Sequence, residues 1–388
     1  MKNQFPPTRT AALARLAAFI PHAGWDYARS RNFDRADATA RLSPYIRHRV
    51  ITEHEVVSAV LAQHDARSAE KFIQEVFWRS YWKGWLELRP SIWQDYRRDL
   101  CAAHNRVQTE SGLRADFQSA CKGQTGIECF DHWAQELADT GYLHNHARMW
   151  FASIWIFTLR LPWVLGADLF LRSLLDGDAA SNILSWRWVA GVQTRGKNYL
   201  ATAENIAKFT EGRFNPIGQL VESAEPLQGP DRPAPTPLRP LAPLQPGANT
   251  GLLIHDDDVT GAPLDTAQHI ATLNATSARS PLQTAAHVDA FATAVLADAT
   301  MGVPVTPLSS AQQIADWAAT HDLTQIALPY APTGPVRDTL DELVNIAPHL
   351  TLAQIRREWD SACWPHATHG FFRFKKQIPA LIDRLITP

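Results

Sequence analysis

Leu175-Asp-Gly-Asp-Ala-Ala-Ser-Asn-Ile-Leu-Ser-Trp-Arg-Trp188 is the stretch on which the reading of this chain turns. It gathers two carboxylates (Asp176, Asp178), an amide (Asn182) and two indoles (Trp186, Trp188) into one short run with helical spacing. Asp178, Asn182 and Trp186 stand at i, i+4 and i+8, so a helix brings them onto one face. A plain core helix has no use for a carboxylate and an amide there, because each buried polar group needs a partner. A flat heteroaromatic ligand with imide-type hydrogen-bonding groups satisfies all of them together.

Working outward, residues 1–216 read as almost wholly helical. Helical patterns cover residues 8–19, 53–64, 68–87, 92–102, 114–120, 129–139, 144–158, 166–175 and 203–209, with Pro and Gly punctuating between them. Residues 217–250 are a seam in which Pro226, Pro230, Pro233, Pro235, Pro237, Pro240, Pro243 and Pro246 forbid a helix or a ladder. The seam reads as an extended, partly rigid linker. Beyond it the pattern alternates, with strands at 251–255, 303–308 and 325–328 and helices at 284–299, 311–321, 336–344 and 375–385. Such alternation implies a parallel α/β layer over residues 251–388.

The charge is divided unevenly. Residues 1–216 carry 27 Lys+Arg against 22 Asp+Glu and the remainder 10 against 17, so balances of +5 and −7 give the net −2. A mildly basic first half permits a nucleic-acid partner without demanding one. Cys101, Cys121, Cys129 and Cys363 have no CxxC spacing and read as reduced thiols of a cytoplasmic protein, neither a zinc ribbon nor an iron–sulfur site. His144 and His146, two residues apart, diverge on a helix and make no metal site. Met149–Phe157 is too short to span a bilayer before Arg160, so no membrane span is expected. The Asp256-Asp257-Asp258 run reads as an acidic turn at a strand end. Arg195 and Lys197 are equally a DNA-phosphate contact and a solvated turn.

Several spaced blocks now carry a resemblance. Tyr27 is followed by Thr39-Ala-Arg-Leu-Ser43, then Gln74-Glu-Val-Phe-Trp-Arg-Ser-Tyr81, Gly141-Tyr-Leu-His-Asn-His-Ala-Arg-Met149 and the opening stretch. Together they resemble the flavin-binding domain of the cryptochrome/photolyase family over residues 20–216. The resemblance implies FAD as cofactor. It implies that Tyr27, Thr39, Arg41, Leu42 and Ser43 line the diphosphate end, with Ala40 replacing a usual serine, and that Phe72, Arg79, Asn145, Arg148, Asp176, Asp178 and Asn182 also face the cofactor. Phe72 stands where the family often has tryptophan. Arg148 would pair with Asp176, Asp178 would bond the ring imide, and the Asn182 amide would face flavin N5.

The same resemblance implies a lesion pocket of Glu75, Trp78, Asn145, Met149 and Trp188, where flipped bases stack between indoles. Trp186 and Trp163 take the proximal and middle places of an electron-carrying tryptophan chain. Ala120 takes the distal one, which leaves Trp150, Trp155 or Trp133 as alternatives. His146 departs from the arginine common in enzymes that repair cyclobutane dimers. Residues 250–388 resemble the family's α/β domain, which there precedes the flavin domain. The expected architecture is therefore a helical FAD-binding domain followed by a Rossmann-like parallel α/β domain, in permuted order. Ala331 stands where folate-antenna members carry a glutamate, which argues against an antenna chromophore.

The expected function is an FAD-dependent blue-light photolyase that repairs cyclobutane pyrimidine dimers in DNA as a monomer. Met149 occupies a place that (6-4)-photoproduct enzymes give to histidine. The alternative is a cryptochrome-like photoreceptor that signals through a partner. Fold alone does not separate these two.

Overall fold

A computed structural model describes residues 4–264 and 267–386. In its first half, helices follow one another: α1 (Arg9–Phe19), α2 (Trp25–Ser30), α3 (Ser43–Arg47), α4 (Glu53–Leu61), α5 (Glu70–Glu87), α6 (Ser91–Thr109), α7 (Ser111–Lys122), α8 (Glu128–Thr140), α9 (Asn145–Ser153), α10 (Trp163–Ser173), α11 (Ala179–Val189) and α12 (Ala203–Phe209). Local chemistry sets their ends. A Thr52/Glu55 capping box starts α4 and Thr202 caps α12, while Gly123 and Gly141 end α7 and α8 in the left-handed conformation.

The second half holds a parallel five-stranded sheet. Its strands are β1 (Thr250–His255), β2 (His269–Leu273), β3 (Thr306–Leu308), β4 (Gln325–Pro329) and β5 (Thr351–Ile355), in the order β3-β2-β1-β4-β5. Around it lie α13 (Ala286–Ala299), α14 (Ala311–Thr320), α15 (Pro335–Ile346), α16 (Glu358–Cys363), α17 (Phe371–Lys375) and α18 (Ile378–Leu385). In register, Leu252 pairs with Ile270 on one side and with Ala327 on the other, so β1 is buried by both neighbours.

The strand order reverses between β1 and β4, and that crevice points its carboxyl ends at the helical half. One hydrophobic cluster runs continuously from Tyr45, Phe77 and Trp85 into Leu252, Tyr330, Trp364 and Phe374. A second fills the other face of the sheet around Ile314, Ile326 and Leu340. Trp359 Nε1 donates to Ser80 Oγ at 2.8 Å and Tyr330 Oη to Glu87 Oε2 at 2.5 Å, so polar contacts cross the same seam. Residues 210–249 hold no helix or strand, yet they are fastened along their length. Leu227 N donates to Ala190 O, Thr236 N to Leu88 O, and Arg239 Nη2 to Ala331 O.

Several sequence expectations are corrected. The helix expected over 144–158 ends at Ser153 and continues as a π-turn over Ile154–Thr158. The helix expected over 375–385 begins at Ile378 as α18, because Pro379 belongs in a first turn, where its missing N–H costs nothing. Strands β2 and β5 and the short helices α2 and α3 carry no periodic signal long enough to read. Asp178 is not inside a helix: its backbone is extended and its side chain accepts from Ser181 N, so it caps α11.

Candidate functional site

The loop between α10 and α11 is the centre from which the site builds. Leu174 and Leu175 turn the chain, Leu175 N bonding to Gly141 O, and this fixes the loop against the end of α8. Asp176 takes both Nη atoms of Arg148 at 2.8 and 3.0 Å, a bidentate pair. Burial alone would raise the Asp176 pKa, but Arg148 outweighs it and the carboxyl lies below its usual range, with the Ser43 hydroxyl assisting. The Arg148 guanidinium also sits 5.4 Å from the Tyr142 ring centre.

Asp178 faces cations from α5. Lys83 Nζ lies 3.5 Å and Arg79 Nη1 4.0 Å from its Oδ2. Burial pushes the Asp178 carboxyl up, and Lys83, Arg79 and Arg47 together pull it well below the ordinary value. Behind the loop, Arg47 Nε donates to Gly177 O at 2.6 Å and its Nη1 pairs with Asp257 at 2.5 Å, which ties the site to the end of β1. A cavity of about 10 Å³, enough for a single water, lies there between Lys83, Asp178, Asp257 and Gly334.

The other residues expected at the cofactor make local contacts of their own. Tyr27 packs edge-on against Phe72 at 5.1 Å, and its phenol is held protonated by burial, with the Glu75 charge adding to the shift. Thr39, Leu42 and Ser43 run into α3, and Arg41 holds a left-handed φ of 51° with its guanidinium over Tyr142 at 4.8 Å. Asn182 is buried, and its Nδ2 donates to Ala167 O at 2.7 Å, which leaves its carbonyl oxygen unspent. Arg79 Nη1 is buried without a hydrogen-bond partner. An uncommitted guanidinium beside two carboxylates, two hydroxyls and an amide oxygen is a donor and acceptor set that fits a flavin ring and its phosphates.

The expected lesion residues are less uniform. Glu75 pairs with Arg31, and burial raises its pKa against that pairing. Asn145 is exposed at the start of α9 and Met149 is half-buried. Trp188 is 36% exposed and stacks on Tyr199 at 5.7 Å, and Tyr199 Oη reaches His146 Nε2 at 3.4 Å. Trp78 has one face taken: Phe371 of α17 stacks on it at 3.6 Å and 11°. Only its remaining surface is available to a ligand, which corrects the expectation of a free indole wall.

Trp186 is buried against α10, where a Cβ at Gly166 would lie 2.3 Å from its ring. Its ring neighbours are Phe170 at 5.1 Å, Trp155 at 6.2 Å and Phe151 at 6.4 Å. Trp163 instead contacts Tyr96 at 6.0 Å. Ala120 is fully buried. Residues that the sequence reading missed are Arg31, Arg47, Lys83, Tyr142 and Phe371. Lys83 alone carried a local signal, standing at i+4 from Arg79 on α5.

Residues 72–223 match the family model described as the FAD binding domain of DNA photolyase. The deoxyribodipyrimidine photo-lyase of Streptomyces griseus is 33% identical over 210 residues, covering 50% of this chain and 44% of the relative. That of Escherichia coli K12 is 29% identical over 199 residues, covering 50% and 42%. The chain thus spans less than half the length of these relatives. Among solved structures, a class III photolyase from Agrobacterium tumefaciens is similar with a TM-score of 0.44 and 27% identity, over 53% of this chain and 43% of that one. No helix among the described residues is long and apolar enough to cross a membrane. The match and these relatives converge on one statement: residues 72–223 are similar to the FAD-binding domain of DNA photolyase.

Proposed function

We propose that this chain is an FAD-dependent blue-light photolyase acting on cyclobutane pyrimidine dimers in DNA. The observation that carries the reading is a run of contacts that passes through His146 in the first turn of α9. Trp188 stacks on Tyr199, Tyr199 meets His146, His146 holds Asn32 O at 2.9 Å, and the neighbouring Arg31 pairs with Glu75. These groups surround the start of α9, whose own Arg148 is locked to Asp176 one turn further on.

When bound, reduced FAD supplies the electron that opens the dimer under blue light. The remaining work falls to the chain. Arg79, Lys83 and Arg148 concentrate positive charge beside the ring position and favour a negative cofactor there. Asp178 is held ionised and fixed by its cap on α11, so it can accept one N–H without moving. Asn182 offers its amide oxygen. Trp188, Met149 and the free surface of Trp78 receive flipped bases, with stacking worth roughly 1–3 kcal/mol per base. Glu75 and Asn145 bond the base edges, Glu75 after exchanging its Arg31 contact. The α/β half, in permuted order, serves as the brace behind Asp178, with Arg47 as the connecting residue.

One observation favours a second reading, a blue-light photoreceptor without repair activity. The Trp78–Phe371 stack fills half of the indole surface that a lesion would use. Photoreduced protein, incubated with a thymine-dimer oligonucleotide in blue light and in the dark, tests the first reading directly. Light-dependent recovery of intact thymines is expected; FAD-bound, reducible protein that restores none would move the function to light sensing.

A further inference from the structure

Near the end of the chain, α17 lies against α5 and turns a second face outward that the proposed function does not use. Phe371 and Phe374 stand at i and i+3 and are both buried. Phe371 stacks on Trp78, Phe374 meets Phe77 at 6.3 Å, and Lys375 Nζ reaches Glu70 Oε1 at 2.9 Å. These inner contacts anchor the helix. Its outer side carries Phe372, Arg373 and Lys376, at i, i+1 and i+4, and Phe372 is 81% exposed. Among the described residues, neither the Arg373 nor the Lys376 side chain takes part in an ion pair or hydrogen bond.

The charge of this face is the reverse of its surroundings. Residues 217–388 carry 10 Lys+Arg against 17 Asp+Glu, yet residues 361–382 contain Arg373, Lys375 and Lys376 and no Asp or Glu. Cations also continue from α17 toward α11. Arg89 ties the two segments together, its Nη2 donating to Thr368 O at 2.7 Å and its Nε to Pro233 O at 3.0 Å. The adjoining Arg232 is exposed, and its Nη2 donates to Gln193 O at 2.9 Å, in the turn after α11. The face thus borders Trp78 through Phe371 and, through Arg232, the end of the helix that carries Trp188. An exposed ring between unpaired cations fits a polyanion with stacking bases, because phosphates take the charge and a base takes the ring. A protein partner calls for fewer charges at the centre of such a patch. A lipid surface calls for more apolar area than one ring on a five-residue helix.

We propose that the outer face of α17 is a DNA-contact surface supplied by the second half of the chain. Phe372 stacks on a base face uncovered when the dimer leaves the duplex, and Arg373 and Lys376 neutralise the phosphates beside it. The surface rests on the proposed DNA partner and adds to it a contact outside the flavin-binding half. It also gives the Trp78–Phe371 stack a purpose: the stack fixes α17 at the edge of the base-receiving wall, so that its outer residues meet the strand that flanks the lesion.

The test titrates FAD-loaded full-length protein into fluorescein-labelled duplexes with and without one thymine dimer, over a range of salt concentrations. Phe372→Ala should weaken binding to the dimer duplex by about 5- to 100-fold, the scale of one base stack, and change the undamaged duplex little. The double variant Arg373→Gln, Lys376→Gln should weaken both duplexes and reduce the slope of log K against log salt by about 1.8, two phosphate contacts. FAD content, the urea midpoint and light-driven repair of a free thymine-dimer dinucleotide, which has no flanking strand, should stay as in the parent. Parent protein that binds the duplexes while both variants keep its affinity and slope would overturn the surface and leave the DNA reading standing. Weakened binding in the variants, with no light-dependent repair by the parent, would support the surface and count against repair. Parent protein that binds neither duplex would overturn the surface, and vesicles of phosphatidylglycerol that bind the parent but not Phe372→Ala would reassign it to a membrane.

Discussion

Two aspartate loops meet back to back in this molecule, and they behave differently. Asp176-Gly-Asp178 follows α10, and Asp256-Asp257-Asp258 follows β1. Arg47 touches both, through Gly177 O and Asp257. Both loops are buried and both face arginines. In the second, the Asp258 carboxylate is closed off: Arg357 reaches both of its oxygens at 2.7 Å, and Arg49 adds a bond at 3.1 Å while pairing with Asp360 at 2.6 Å. In the first, the Lys83 and Arg79 contacts to Asp178 are 3.5 and 4.0 Å long, and Arg79 keeps an unspent donor. A saturated buried ion network holds a fold together, whereas a loose one is poised to bind something. Buried charge by itself does not distinguish the two; how closely the cations approach the carboxylate does.

The comparison breaks most visibly at Asp258. Asp258→Ala leaves Arg49 and Arg357 facing each other without their shared anion, and the expected destabilisation is about 3–5 kcal/mol. Urea unfolding of the purified chain measures it, and a loss below about 1 kcal/mol would mean that the network is worth no more than a surface pair.

The same residue makes a pH prediction. Burial raises the Asp258 carboxyl, but Arg357 and Arg49 bring it down to about 2, against about 3.9 in an unfolded chain. A depressed folded value stabilises the protein above the unfolded pKa and ceases to do so as pH falls toward the folded one. Stability should therefore drop between about pH 4 and pH 2, and Asp258→Asn should flatten that slope. An unaltered acid profile in the variant would assign the slope to other carboxylates.

Asp178→Asn tests the other loop. Asparagine caps a helix as well as aspartate does, but the Asp178 charge is itself stabilised by Lys83 and Arg79, so stability should fall, though by less than in Asp258→Ala because these ion contacts are longer. FAD should bind more weakly by about 1.5–3 kcal/mol, the worth of a hydrogen bond to a charged group, as measured by titrating flavin fluorescence. If stability fell as far as in Asp258→Ala and FAD affinity held, the two loops would have exchanged roles. Smaller effects lie nearer the rim. Glu75→Gln should lower repair yield by roughly tenfold, about 1.4 kcal/mol, with FAD retention unchanged. Trp186→Phe should slow flavin photoreduction and, because the indole is buried, lower stability by about 1–3 kcal/mol; an unaffected rate would route the electrons elsewhere.

What the sequence by itself determined is everything governed by short-range pattern. Helical periodicity marked the first half, and α12 begins and ends where its spacing placed it, at Ala203 and Phe209. Eight prolines between Pro226 and Pro246 decided that no regular element would form there, because Pro lacks the amide proton. The Arg148–Asp176 pair was legible from the resemblance, since both residues lie in blocks with fixed spacing.

Only the tertiary structure decided which of the buried polar groups are spent. Asp178 left the helix face that its spacing suggested because capping Ser181 N satisfies an orphan donor. Trp78 lost one face to Phe371, 293 positions further on, and Arg49 met Asp258 and Asp360 across 209 and 311 positions. Lys83 and Arg47 likewise take their meaning from segments brought together by packing. Periodicity records which side of an element is apolar, but whether a polar atom on that side finds a partner depends on what the rest of the chain places against it.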